Sequence, residues 1–172
     1  MATDGQPRDR VDVIMDDIAP LMPGADLTAK ALCHRLRRVA HQVEIHLRRE
    51  LATFDIEPWE LELLACLRRA GPPYQTTPSS LQDSMQLTTG AITKRVTTLE
   101  RRGWVFRTID PSDRRQVLVC LTDDGEKRAM DVFGTKTETE ARVLAGLEHG
   151  TQQRLNDDLR LLLVQLEGPV PE

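Results

Sequence analysis

"LTTGAITKRVTTLERRGWVFRTIDPSDRRQVLVCLTDDGE", Leu87 to Glu126, is unlike the rest of this 172-residue chain. Ile92, Val96 and Leu99 recur at three- and four-residue spacing, which predicts an amphipathic helix with Thr88 as its cap. Gly103 ends that helix. On a helical wheel Gly90, Lys94 and Thr97 lie opposite Ile92 and Val96 and are expected to face outward. "WVFRTI" and "QVLVCL" are two β-prone runs around the turn "DPSDRR", which predicts a hairpin tipped with Arg114 and Arg115.

Just upstream, Thr77 before Pro78 makes a good helix start, an N-cap followed by proline at the first helical position. The helix it opens is short and is expected to end near Met85. Its Leu81 and Met85, with Leu87, are expected to pack against Ile92, Val96 and Leu99. A short helix, a tight turn and a second helix with a polar outer face form a helix-turn-helix, and the hairpin adds a wing. Small residues at the start of the second helix allow close approach to a nucleic-acid backbone. Lys94 and the threonine hydroxyls suit phosphates and base edges.

The charge distribution agrees. The chain as a whole carries −4. From Gln86 to Arg115 the basic residues Lys94, Arg95, Arg101, Arg102, Arg107, Arg114 and Arg115 outweigh Glu100, Asp110 and Asp113, so this stretch is +4 and the remainder −8. A local basic footprint on an acidic body attracts phosphate, because salt limits the reach of the opposing field to roughly 8–10 Å.

Outside this stretch the chain reads as helical. Arg8 to Leu21 suits a short helix with Val11, Ile14, Met15 and Ile18 on one side, ended by Pro20 and Pro23. From Leu27 to Phe54 the residues Leu32, Leu36, Val39, Val43, Leu47 and Leu51 mark one long helix. Pro58 suits the first turn of the next, which carries Leu61, Leu63, Leu64 and Leu67. Thr122 to Leu147 and Gly150 to Glu167 read as two further helices, with Leu155, Leu159, Leu162, Leu163 and Leu166 on the last.

Charged residues at 29% and aromatics at 3% suit a helical protein. No apolar run approaches the length needed to cross a bilayer, so no membrane partner is expected. "MATDGQPRDR" lacks the apolar core of a signal peptide, and the expected location is the cytoplasm. Cys33, Cys66 and Cys120 are odd in number and form no CxxC pair. His34, His41, His46 and His149 lack the partners of a metal set, and there is no nucleophile elbow, phosphate loop or dinucleotide fingerprint. The expectation is a protein that is not an enzyme and holds no cofactor.

With these residues in view, the chain resembles the MarR family of transcriptional regulators over roughly Leu27 to Glu167. The most specific part is "LERRGWVFRTIDPSDRRQVLVCLTDDGE": a glycine-ended helix, D-P-x-D-R-R and L-T-x-x-G. The resemblance implies a mostly α fold with a small β-hairpin wing, paired as a homodimer through its N- and C-terminal helices. It implies a repressor that binds a pseudo-palindromic double-stranded DNA operator. The recognition helix would lie in the major groove and a wing arginine in the minor groove. Carried over by position, that helix starts at Thr88, Asp113 supports the wing and Arg115 reaches the groove. The expected DNA-binding set is Thr88, Thr89, Gly90, Thr93, Lys94, Arg95, Thr97, Asp113, Arg114 and Arg115. The expected organisation is a disordered segment 1–7, an extra N-terminal helix 8–21 and a MarR-type domain 27–167. Within that domain the winged helix-turn-helix spans 57–125, and the dimerisation helices span 27–54 and 122–167.

Two modes of control follow from the same resemblance. Some members carry an extra N-terminal helix and respond to urate or related small anions. In them a tryptophan on that helix, an aspartate after the tryptophan of the second family helix and two arginines surround the ligand. Here Arg95 and Arg107 match the arginines, Glu60 follows Trp59 in place of the aspartate, and Ile18 stands near the other tryptophan's position. That implies a small organic anion other than urate, held by Ile18, Trp59, Glu60, Arg95 and Arg107. The residues equally admit a second reading, with Arg95 a phosphate contact and Arg107 a strand salt-bridge partner. The alternative control is redox. Cys33 lies where peroxide-sensing members keep their reactive cysteine, although Arg37 and Leu47 stand in place of the supporting tyrosines. Cys66 and Cys120 are expected to be packed.

Overall fold

A computed structural model describes residues 7–169. Apart from Pro7, the expected disordered segment 1–7 lies outside the described residues. The chain divides into two compact units, Met1–Ile45 and His46–Glu172, and the boundary falls within one long helix.

In the first unit, α1 (Arg10–Ile18) is followed by a 3-10 turn (Ala19–Leu21) and then by the start of α2 (Thr28–Leu51). Asp9 caps α1: its carboxylate accepts from the backbone of Val11 at 2.7 Å and Asp12 at 3.0 Å, while the Asp12 carboxylate accepts from Asp9 N at 2.8 Å. This reciprocal arrangement satisfies amides that a helix start otherwise leaves open. Val11 is buried, and Ile14, Met15 and Ile18 are half-buried, so the expected apolar side is the inner one.

Arg35 of α2 holds the cap of α1 from outside, with Nε 2.8 Å from Asp9 and Nη2 2.6 Å from Asp12. That pairing holds the Asp9 carboxyl down at about 2, against its ordinary 3.8. A depressed folded value means the interaction is complete above the ordinary value and is lost as pH falls toward 2. Arg35→Ala is expected to return the Asp9 titration to near its ordinary value and to speed proteolytic cleavage in α1. Carbon-detected NMR titration of the Asp9 carboxyl checks this; an unmoved titration would mean that the pair does not form in solution.

The second unit contains the rest of α2, a 3-10 turn (Ala52–Phe54), α3 (Pro58–Arg69), β1 (Gln75–Thr76), α4 (Pro78–Met85) and α5 (Thr89–Arg101). After these come β2 (Val105–Ile109), β3 (Val117–Leu121), α6 (Asp123–Leu144) and α7 (His149–Glu167). Two helices start where the capping residues predicted: Thr77 accepts from Ser80 N at 3.1 Å and Thr88 from Ala91 N at 3.3 Å. Thr122, read as the first residue of a helix, caps α6 instead and accepts from Gly125 N at 3.0 Å. Gly103 leaves α5 at φ +72°, a left-handed conformation that glycine adopts without steric cost.

The core is built from α3, with Leu61, Leu63, Leu64 and Leu67 fully buried, against Leu81, Ile92, Val96, Leu99, Val105 and Val119. Met85 and Leu87 pack on its edge, as the spacing predicted. The wing differs from a plain hairpin. β1 pairs antiparallel with β3, Gln75 opposite Cys120 and Thr76 opposite Val119, so the order is β1-β3-β2. This third strand anchors the base of the wing to the segment ahead of α4.

Candidate nucleic-acid interface

The N-terminus of α5 is built from small and hydroxylated residues, each with a local task. Thr88 caps the helix, the Thr89 hydroxyl donates to Gln82 Oε1 of α4 at 2.8 Å, and the Thr93 hydroxyl donates to Thr89 O at 2.9 Å. The Thr89 bond links the start of α5 to α4. Gly90 is exposed, and a Cβ built on it would meet nothing within 4 Å. The chain itself therefore does not need glycine there, and the open space faces outward. Lys94 is exposed, without a recorded partner among the described residues.

Thr97 sits differently from the wheel's expectation, and Arg95 is turned partly inward. Arg95 is half-buried, its guanidinium 5.1 Å from the centre of the Trp59 ring. Thr97 does not face outward. Its hydroxyl accepts from Arg107 Nη2 at 3.2 Å, because β2 runs beside this part of α5. Arg107 also donates to Thr93 O at 3.3 Å and pairs with Glu100 at 2.6 Å. The guanidinium of Arg107 is thus committed to α5, as the strand salt-bridge reading had it.

The tip of the wing consumes its own acids. Asp110 Oδ1 accepts from both the backbone and the hydroxyl of Ser112 at 2.7 Å. These bonds, the hydroxyl's first, hold the Asp110 carboxyl below its ordinary value. Asp113 Oδ1 accepts from Arg115 N at 3.0 Å, and backbone bonds from Asp110 N to Gln116 O and from Gln116 N to Asp113 O, both 2.9 Å, close the turn. Asp113 supports the wing in this way. Arg114 and Arg115 are exposed, with no side-chain partner recorded among the described residues.

Of the ligand candidates, Trp59 and Arg95 are brought together, and two others are otherwise engaged. Glu60 is 2% exposed. Its carboxylate accepts from Arg102 Nη1 at 3.2 and 3.1 Å and from Glu57 N at 2.9 Å, so it caps α3 and is itself neutralised by a half-buried guanidinium. Glu60 therefore replaces no ligand-facing aspartate, and Arg107 is held as described. Ile18 and Cys33 belong to the first unit, Ile18 half-buried and Cys33 exposed. Cys66 and Cys120 are packed as expected, and burial raises both thiols. A cavity of about 240 Å³ lies elsewhere, lined by Cys66, Arg69, Ala70, Thr76, Leu81 and Ser84.

Sequence reasoning missed Arg102. It closes α5, binds Glu60, reaches the Asp55 carboxylate at 2.7 Å and lies over Trp104 at 3.9 Å. Only the acid at the third position of α3, opposite the cap residue Glu57, hinted at a structural carboxylate. Nothing local pointed to its partner.

Comparison with known proteins places this architecture. The MarR family model matches residues 56–117, from two residues ahead of α3 to the start of β3. The regulator PecS of Dickeya dadantii is 29% identical over 123 residues, 72% of this chain and 74% of its own. Wild-type MarR from E. coli, solved without ligand, superposes with a TM-score of 0.66 at 25% identity, covering 77% of this chain and 96% of that one. Sco3205 from Streptomyces coelicolor, a MarR-family regulator solved in complex with DNA, has the same fold at a TM-score of 0.74 and 23% identity, covering 85% and 93%. Among the described residues no helix is long and apolar enough to cross a membrane. The capped helix α5, the D-P-x-D-R-R wing and these matches agree: the winged helix-turn-helix of this chain, residues 56–117, is that of the MarR family of transcriptional regulators.

Proposed function

We propose that two copies of this chain bind a pseudo-palindromic operator in the cytoplasm and repress transcription. In this reading α5 lies in the major groove and Arg115 in the minor groove. The observation that carries it is the fate of charge between Gln86 and Arg115. All three acids of that stretch are engaged internally, Glu100 by Arg107, Asp110 by Ser112 and Asp113 by the backbone of Arg115. Lys94, Arg114 and Arg115 are left exposed to meet phosphate. Pairing of two copies is supported by α7, which buries none of its residues within the chain and exposes Leu163 at 51% and Leu166 at 71%. Leu159, Leu163 and Leu166 would be covered by a second copy. A two-fold dimer would then read half-sites about 10 bp apart.

A small organic anion that releases the DNA is a second element of the reading, and the contact between Arg95 and Trp59 favours it. An anion stacked on Trp59 would draw Arg95 away from phosphate. Glu60 and Arg107 would keep their internal partners. Release requires that the anion prefer the state unable to bind DNA; equal affinity for both states changes nothing.

The test is selection of duplexes from a random-sequence pool, followed by titration of the winning duplex over a range of salt. Arg115→Ala is expected to weaken binding and to lower the slope of log K against log salt by about one. A stable monomer in sedimentation at micromolar concentration, or an Arg115→Ala variant indistinguishable from wild type, would overturn the reading.

A further inference from the structure

The wing carries an apolar feature that neither the core nor the arginine tip uses. Ile109 and Val117 are directly paired across β2 and β3, the last pair before the tip, and they are 58% and 41% exposed. Paired residues lie on the same face of a sheet, as do residues two apart on one strand. Ile109 therefore shares its face with Arg107, whose side chain reaches Thr93, Thr97 and Glu100 of α5. This places the two aliphatic side chains on the side of the wing that faces the recognition helix, farther out, between that helix and Arg114–Arg115. β-Branched residues so exposed add little to the stability of the fold, and a bare apolar end on a hairpin invites pairing with other chains.

We propose that Ile109 and Val117 form an apolar saddle for the DNA backbone, resting on the deoxyribose faces of the strand between the two grooves; this rests on the DNA-binding reading above. A duplex with one groove at α5 and the next at the arginine tip must lay the intervening backbone strand across this part of the wing. The phosphates of that strand point to solvent and to cations, and the deoxyribose carbons are its apolar surface. The Arg114 and Arg115 guanidiniums supply attraction that depends on salt. The saddle supplies contact area that does not. It also excludes water beside the phosphates those arginines meet, and it favours DNA over RNA, because a 2′-hydroxyl would enter an apolar contact.

The experiment uses the full chain, the duplex it selects from the random pool, and the double variant Ile109→Thr/Val117→Thr, which keeps both side chains β-branched. Affinity is expected to fall about tenfold at every salt concentration with the salt slope unchanged, since apolar area is lost and no phosphate contact is. Arg115→Ala lowers the slope instead. A folded double variant that binds as tightly as wild type overturns the saddle, and so does one whose slope falls as in Arg115→Ala. Should the double variant unfold, Val117→Thr alone, of nearly equal shape, must weaken binding while Ile109→Val preserves it; any other pattern also overturns the proposal. A wild-type protein that selects no duplex sinks the DNA-binding reading itself. A wild-type protein that needs Arg115 but not the aliphatic pair sinks only the saddle.

Discussion

Arg102→Ala is expected to destabilise the protein by about 3 kcal/mol, the lower part of the range for removing one partner of a buried ion pair. The reason lies in Glu60, 2% exposed and dependent on Arg102 for two of its three hydrogen bonds. Without the guanidinium the carboxylate must stay charged in a dry site or take up a proton, and either costs free energy. Three features temper the loss. The Arg102 side chain keeps 27% of its exposure, the bond from Glu57 N persists, and the pair with Asp55, itself 92% exposed, adds little. Trp104 also loses the cation stacked on it at 3.9 Å. The double variant Glu60→Leu/Arg102→Met, which leaves no charge behind, is expected to recover much of the loss. Urea denaturation of wild type, Glu60→Leu, Arg102→Met and their double variant measures the coupling, with Arg102→Ala alongside. A loss below about 1 kcal/mol for Arg102→Ala would show that water reaches Glu60.

The same pair shows why the sequence reveals some parts of this site and conceals others. The recognition helix and the wing turn were legible because their signals are local. A threonine cap, a helical apolar repeat, a glycine stop and a D-P-S-D-R-R turn all lie within a few residues of what they control. Glu60 and Arg102 are 42 positions apart, and neither residue type is expected to be buried until its partner is known. β1 was missed for a similar reason: a two-residue strand has no periodicity, and it exists because Cys120 and Val119 lie alongside. Thr97 was misassigned by reasoning from one element at a time. A helical wheel registers that Thr97 is opposite Val96 but cannot register that β2 brings a guanidinium to the Thr97 hydroxyl. The motif L-T-x-x-G, by contrast, was recognised without its reason being visible.

That reason leads to the second large effect. Gly125→Ala is expected to destabilise the protein by about 3 kcal/mol, although alanine in a helix is ordinarily better than glycine by about 1 kcal/mol. A Cβ at residue 125 would lie 2.1 Å from Trp104 O, 2.9 Å from Trp104 C and 3.1 Å from Leu121 Cδ1. The nearest atoms are backbone and cannot swing aside. They are also pinned: Thr122 N donates to Trp104 O at 3.0 Å, and the Thr122 hydroxyl donates to Gly103 O at 2.8 Å while capping Gly125 N at 3.0 Å. The motif thus clamps the start of α6 onto the turn that ends the recognition helix, and only glycine lets the two backbones approach so closely. Gly134, also in α6, is an internal control, since a Cβ there meets nothing within 4 Å. Gly134→Ala should stabilise the protein by about 0.5–1 kcal/mol, the ordinary helix preference. Opposite signs for the two variants in urea denaturation are the expected result. Gly125→Ala should also weaken duplex binding beyond its loss of folded protein, because the turn it displaces carries both the end of α5 and the start of the wing. Equal stabilisation by the two alanines would mean that α6 does not clamp the recognition helix at all.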